Sequence, residues 1–306
     1  MKKVLVTGAT GFVGRFLVEK LESPKCIVRK SSIHAFSDVH ELESIDAYTD
    51  WSVALKGVGT IIHLAGIAHR PNVSSMSDYN NVNVQGTINL ATSAAAAGVK
   101  RLVFVSTIGV NGTVTEDLPF TETSKPSPHN DYAQSKYDAE IGLKKISTET
   151  GLEVVIIRPT LVYGPGAPGN FGMLTKWVSK VPVLPFGLAN NRRNFIAVQN
   201  LVDLLATCAT HPDAAGHTFL ASDTETLSTR EFTNAIADGL GKQVLQLPVP
   251  ANLMRIVGKI TGKSAKIEQL FGNLEVDSSN IKEVLNWTAP LTMKQAMKTL
   301  RETGTK

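Results

Sequence analysis

One stretch near the start of the chain restricts the fold more than any other. Val4-Leu5-Val6-Thr7 is a short apolar run that passes directly into Gly8-Ala9-Thr10-Gly11-Phe12-Val13-Gly14, with glycines three residues apart. The pattern predicts a buried strand, a tight turn and a helix. Gly8 admits the turn, Gly11 lets backbone approach a pyrophosphate, and Gly14 lets the helix pack close to the sheet. The helix N-terminus then offers its N–H groups to the phosphates. The spacing is G-x-x-G-x-x-G, not the G-x-G-x-x-G of the generic dinucleotide fingerprint, so the rule applies here through its physics. A plain strand-to-helix turn would need a single glycine.

Beyond the cradle, the chain fits an α/β, Rossmann-like, doubly wound parallel sheet. Strands are predicted at 25–30, 58–66, 102–107, 154–159 and 217–221, and helices at 11–21, 77–97, 130–147 and 201–210. The alanine run at 94–97 suits close helix packing, and Gly98 stops that helix. Between Thr113 and Asn130 the chain turns to Thr, Pro, Ser and acids, a surface loop suited to a lid. Residues 1–165 are read as the dinucleotide domain, with 199–222 returning to it. Residues 166–306 are read as a smaller C-terminal substrate lobe, with turns at 166–172, a helix at 173–179 and mostly helices towards the end.

Composition narrows the partners. The chain has 306 residues, 42% of them apolar, which is enough for such a core. Its formal charge of +4 comes without long runs of like charge, so nucleic acid is not expected. Cys26 and Cys208 lie far apart and outside any Cys/His cluster, which argues against disulfides and metal and fits a reducing, cytoplasmic setting. No stretch approaches the ~20 apolar residues of a membrane span, and no membrane partner is expected. At the end of the second strand, where an NAD-preferring fold carries an acid about 20 residues beyond the glycines, the chain has Arg29 and Lys30. Two cations suit a 2′-phosphate, so NADP(H) is expected ahead of NAD(H).

Three residues form a proton-transfer unit. Thr107 ends a strand, and Tyr132 and Lys136 share one face of the helix beside it. A free tyrosine has a pKa near ~10, and a neighbouring ammonium together with a nicotinamide cation favours the phenolate. Tyr132 can then give or take a proton at neutral pH, Thr107 can donate to the substrate oxygen, and Lys136 can also hold the nicotinamide ribose.

With these features in place, further stretches are similar to the extended short-chain dehydrogenase/reductase superfamily, the nucleotide-sugar epimerases, dehydratases and reductases. They are His63-Leu64-Ala65-Gly66, Asn83 before Gly86-Thr87, Val105-Ser106-Thr107, Arg158-Pro159, Tyr163-Gly164-Pro165-Gly166, Arg193-Asn194-Phe195-Ile196, and Asp277-Ser278-Ser279-Asn280 before Leu285-Asn286-Trp287. The resemblance spans nearly the whole chain. It implies catalytic roles for Thr107, Tyr132 and Lys136. For the cofactor it implies Gly8, Thr10, Gly11, Phe12, Val13, Gly14, Arg29, Lys30, Ile45, Asp46, Leu64, Ala65, Gly66, Asn83, Val105, Ser106, Tyr132, Lys136 and Pro159. For a UDP-sugar it implies Thr107, His69, Asn111, Asn170, Leu184, Phe186 and Arg193, the last on the diphosphate. A homodimer through the helices at 77–97 and 130–147 is also implied.

Departures from the family pattern choose among its reactions. Dehydratases follow the catalytic threonine with an Asp-Glu pair, whereas Thr107 is followed by Ile108-Gly109, which argues against dehydration. The asparagine that UDP-galactose epimerases place after Arg-Pro is absent from Thr160-Leu161, and Asn170 stands as its replacement or as a turn residue. The combination of His63, His69, Asn111, Asn170, 184–187 and 191–193 resembles bacterial reductases and 4-epimerases of surface-polysaccharide pathways. The reading adopted is reduction of a UDP-4-keto-6-deoxy-N-acetylhexosamine to UDP-N-acetylquinovosamine or UDP-N-acetylfucosamine for O-antigen synthesis. The alternative is a UDP-hexose or UDP-N-acetylhexosamine 4-epimerase with retained NAD, and the remote alternative a non-catalytic sensor, which has no need of an intact proton-transfer unit.

Overall fold

The computed structural model describes residues 2–68, 75–262 and 264–302. It begins with β1 (Lys3–Thr7), α1 (Phe12–Lys20), β2 (Lys25–Arg29), β3 (Val39–Leu42) and β4 (Val58–His63). A helical stretch in three parts follows: α2 (Met76–Tyr79), a π-helical segment (Asn80–Gln85) and α3 (Gly86–Ala96). Then come β5 (Arg101–Val105), α4 (Asp131–Thr150), β6 (Glu153–Pro159), β7 (Leu161–Tyr163), α5 (Gly169–Lys180), β8 (Val183–Leu184) and β9 (Arg193–Ala197). The chain closes with α6 (Val198–Thr210), β10 (Thr218–Ala221), β11 (Thr226–Leu227), α7 (Thr229–Leu240), β12 (Leu245–Gln246), α8 (Ala251–Ile260), α9 (Ser264–Phe271), α10 (Ser279–Leu285) and α11 (Met293–Glu302).

A seven-stranded sheet in the order β10-β6-β5-β4-β1-β2-β3 is built from the first half of the chain and the returning strand β10, with parallel pairings throughout. The doubly wound fold is as the sequence predicts. Its strands read as unbroken apolar runs because both faces are covered. Leu5, Ile61, Leu102 and Val154 point into one core with Leu90 of α3 and Leu143 of α4. Their successors Val6, Ile62, Val103 and Val155 point into the other with Leu17 of α1 and Leu201 and Leu205 of α6. Strand order reverses between β1 and β4, and it is at that crevice that such sheets bind ligands.

Beyond β6, a small sheet (β11-β9-β7) and a strand pair (β12-β8) lean on a third core. Phe171, Phe186, Phe195, Phe232 and Phe271 fill it with Met293, Met297 and Leu300 of α11, and Phe195 and Phe232 stack at 3.7 Å between centroids. Two details differ from the sequence reading. α5 starts at Gly169, inside the stretch read as turns. The 113–130 stretch is stitched down and is no detached lid: Phe120 bridges Val276, Thr115 N–H donates to Asn273 O (3.0 Å), and Ser127 N–H donates to Val110 O (2.8 Å).

Candidate active site

The cradle is built as its glycines require. Gly8 takes φ +73°, and a Cβ there would lie 2.8 Å from the Ala65 nitrogen. A Cβ on Gly14 would lie 2.1 Å from Gly8 O, so the first turn of α1 rests directly on the β1 turn. Gly11 caps α1 without any side-chain cap, which leaves first-turn N–H groups for a phosphate. A dinucleotide fits these residues. Among the described residues, the buried Ser106 hydroxyl also lacks a protein partner where it borders the cavity beyond β5.

A buried hydrogen-bond chain backs the cradle. Thr87 Oγ1 donates to Asn83 O (2.7 Å), so it accepts from His63 Nε2 (3.0 Å). His63 Nδ1 then accepts from the Thr7 hydroxyl (2.6 Å), which accepts from Ala65 N–H (3.2 Å). Burial, with the Lys136 cation as a lesser cause, pulls His63 down to about 3 and keeps it neutral. Asn83 lies in the π-helical segment. Its carboxamide accepts from Ile67 N–H (2.7 Å) and donates to Ile67 O (3.1 Å) and Ser135 Oγ (3.0 Å), tying the lip after β4 to α4. Local π geometry often marks functional positions.

At the far end of the cradle Arg29 is exposed at the tip of β2, and Lys30 is paired with Glu43 (2.7 Å) in an exposed bridge. Ile45 packs on Gly86, where a Cβ would lie 2.9 Å from Ile45 Cγ2. The Asp46 carboxylate caps its own turn, accepting from Ser44 Oγ and from Tyr48 N–H (2.8 Å).

The three residues expected to move a proton lie just after β5 and at the start of α4. Thr107 caps a 3-10 turn (Ile108–Val110), accepting from Gly109 N–H (3.1 Å), and its own hydroxyl proton stays available to a substrate oxygen. Tyr132 lies in the first turn of α4, which Asn130 caps through Ala133 N–H (2.8 Å). One turn on, Lys136 is buried with Nζ 4.0 Å from the centroid of the Phe104 ring. Behind it Glu140 makes a buried two-point pair with Arg158 (3.0 and 2.5 Å), and Arg158 also donates to Asn111 Oδ1 (3.0 Å). This pair fixes α4 to β6.

The electrostatics describe the site without its cofactor. Burial, with Tyr79 as a second cause, pushes the Tyr132 phenol up to about 12. Burial also draws Lys136 down to about 7, against the opposing pull of Glu140. Without cofactor, the chain does not hold a phenolate beside an ammonium. Both shifts come chiefly from burial, and the nicotinamide cation on which the expected phenolate also rests is not part of them.

A cavity of about 350 Å³ opens in front of Thr107 and Tyr132. Ser106, Thr107, Tyr132 and Pro159 form the sheet wall, and Asn170, Arg193, Phe195, Gln269 and Leu270 the opposite one. Val105, which ends β5, is half-buried. Arg193 donates to Gly272 O (2.9 Å), and burial lowers its guanidinium to about 10. Its neighbour Arg192 turns outward to Glu275. Asn170 donates to Gln269 Oε1 (3.1 Å) across the mouth, in a helix where a turn was expected.

Other expected substrate contacts are placed elsewhere. Leu184 and Phe186 are in the third core, with Phe186 against Phe271, because the 184–187 segment faces inward. Asn111 is buried beneath the cavity floor, spent on Arg158 and on Thr121 O (3.3 Å). His69 lies outside the described residues. Sequence reasoning did not include Thr160 and Gln269, which border the cavity. Thr160 marks itself only as the residue after Arg158-Pro159, and Gln269 sits in a helix with no motif.

The NAD dependent epimerase/dehydratase family matches residues 4–221. UDP-glucose 4-epimerase of Vibrio cholerae is 41% identical over 97% of this chain and 94% of its own. An Escherichia coli O157:H7 protein, N-acetyl-alpha-D-glucosaminyl-diphospho-ditrans,octacis-undecaprenol 4-epimerase, is 28% identical over 96% of this chain and 92% of its own. The crystal structure of UDP-N-acetylglucosamine 4-epimerase from Bacillus cereus superposes with a TM-score of 0.79, covering 99% of both chains at 21% identity, which bears on the fold alone. From its glycine cradle to the strand that closes the sheet, this chain belongs to the NAD dependent epimerase/dehydratase family.

Proposed function

We propose that the protein is a UDP-sugar 4-epimerase using a nicotinamide dinucleotide. The observation that carries the substrate class is the cavity itself, which Thr107, Tyr132 and Arg193 line together. A sugar linked to a nucleoside diphosphate is a ligand that uses both ends. The Vibrio relative's name supports the same reading over nearly the full length. This reverses the order adopted from sequence, where reduction came first.

The cofactor would be held by the 8–14 cradle, Asn83's lip and Lys136, and when bound it supplies removal and return of a hydride at C4. The chain's own residues handle the proton. Tyr132 takes it from the 4-hydroxyl and gives it back after the sugar has turned over, while Thr107 donates to the same oxygen throughout. Arg193 keeps the diphosphate in place during that turn, which prevents loss of the keto sugar. Positioning at both ends is what a reaction on two ring faces requires.

The second reading, 4-ketoreduction with NADPH, is favoured by one observation: β2 ends in Arg29 and carries no acid of its own. One experiment separates the two. Epimerisation predicts that UDP-glucose and UDP-galactose, or their N-acetyl forms, interconvert without added reductant and without net change at the reduced-nicotinamide band. Stoichiometric NADPH oxidation by a UDP-4-keto-6-deoxy-N-acetylhexosamine, with no interconversion, overturns it. Homodimer formation through α3 and α4 is proposed by analogy alone.

A further inference from the structure

α8 and α11 carry the same apolar spacing and turn it in opposite directions. In α11, Met293, Ala296, Met297 and Leu300 are buried, as an amphipathic helix requires. In α8, Leu253, Ile256, Val257 and Ile260 repeat the i, i+3, i+4, i+7 pattern and are 51%, 54%, 45% and 80% exposed. Scattered surface apolar residues need no explanation, but four on one stripe of a short helix do. The stripe does not belong to a helix that has come loose from the fold. The opposite side of α8 is fastened, with Gly258 against Ile267 and Arg255 bidentate to Glu268 on α9. The strand leading in adds exposed Leu245 and Leu247.

Charge says what covers it. Among the described residues the stretch from 239 to the end of α8 carries Lys242, Arg255 and Lys259 and no Asp or Glu, and of these Arg255 is paired with Glu268 of α9. A two-fold contact with a second copy would bring Lys259 beside the stripe towards the same cation of the other copy. An anionic surface complements it. A convex helix with an apolar stripe and flanking Lys is the form that lies in a lipid interface, and each cation near such a surface adds attraction. We propose that α8 docks the protein on an anionic lipid bilayer, its stripe in the headgroup boundary and Lys259 among the phosphates. Among the described residues no helix is long and apolar enough to cross a membrane, so attachment is peripheral and reversible. α9, on which α8 rests, contributes Gln269 and Leu270 to the cavity, so docking sets the cavity within one helix layer of the membrane.

The test is sedimentation of the full chain with phosphatidylcholine vesicles, with and without phosphatidylglycerol, at low and high salt. Binding is expected only with the anionic vesicles and is expected to weaken with salt. The double variant Ile256→Gln/Ile260→Gln should reduce it by at least about tenfold, and Lys259→Glu several-fold. Both variants should keep the thermal midpoint and turnover of soluble UDP-sugar. Absence of vesicle binding, or equal binding to neutral vesicles, overturns the proposal. So does a concentration-dependent oligomer that Ile256→Gln/Ile260→Gln dissolves while vesicles remain unbound, which would assign the stripe to a second copy. The readout is independent of catalysis, so its failure is distinct from failure of the epimerase reading.

Discussion

The two walls of the cavity are held in different ways. Thr107, Tyr132 and Lys136 ride on β5 and α4, pinned by strand pairing on one side and by the buried Asn111–Arg158–Glu140 cluster on the other. Arg193, Asn170 and Gln269 come from β9, α5 and α9: Asn170 donates to Gln269, while Arg193 sits in the small sheet opposite Leu227 and donates to the Gly272 carbonyl. The first wall is fixed by the main sheet and the second by a separate aromatic core. On the proposed reading, changes in the second wall would alter which sugar is held while leaving Thr107 and Tyr132 in place. Substitutions in the sheet wall should appear in kcat and those in the opposite wall in KM.

The largest effect is expected at Tyr132. Tyr132→Phe keeps the ring against Tyr79 and removes the group placed to move the proton. Loss of a positioned acid or base costs about 10²–10⁴-fold in rate, and UDP-sugar binding measured by calorimetry should be spared. A loss confined to KM would erase the distinction between the walls.

Lys136 ranks next and brings a stability signature. The unfolded chain keeps this proton up to its ordinary 10.5, the folded cofactor-free chain only to about 7. Between those values the unfolded state binds more protons, so this group makes stability rise with pH across the window and carries its full penalty below pH 7. Lys136→Met should therefore raise the thermal midpoint of the cofactor-free protein at neutral pH while suppressing turnover, and its advantage should shrink as pH approaches 10. An unchanged midpoint at pH 7 would mean that the ammonium is well solvated despite its position.

Arg193→Ala tests the opposite wall. Charge-assisted phosphate bonds contribute about 1.5–3 kcal/mol, so KM should rise roughly ten- to hundredfold with kcat little changed. An equal fall in kcat would place Arg193 with the chemistry.

The same division explains what could be read from the chain. β1, β4, β5 and β6 are legible because burial on both faces leaves runs such as Ile61-Ile62 and Val154-Val155. β3 is not, since Val39-His40-Glu41-Leu42 is an edge strand with polar exposures. Thr107, Tyr132, Lys136 and Arg193 are singled out by spacing and motif, and the fold brings them to one region. Thr107, Tyr132 and Arg193 border the cavity, and Lys136 is buried one helical turn beyond Tyr132. Leu184 and Phe186 read as sugar contacts because a motif cannot tell an inward aromatic from one that faces a ligand. Asn111 misleads for a related reason. Its carboxamide is spent on Arg158, a partner from a distant strand that no local pattern reveals. The outward stripe of α8 is invisible to periodicity, which gives a helix an apolar face without saying which way it turns.

The smallest effect, and the one that bears on the choice of cofactor, is expected at Arg29. The residue is exposed at the tip of β2, and its neighbour Lys30 is already engaged by Glu43. An exposed cation opposite a 2′-phosphate gains little beyond a screened attraction. Arg29→Ala should then weaken NADPH several-fold and NADH hardly at all, with Lys30→Ala smaller still, in fluorescence titrations at low salt. High salt should abolish the difference. If NADPH and NADH lose affinity equally, the tip of β2 does not read the 2′ position, and the one observation favouring an exchanging NADPH reductant over an epimerase that retains NAD is removed.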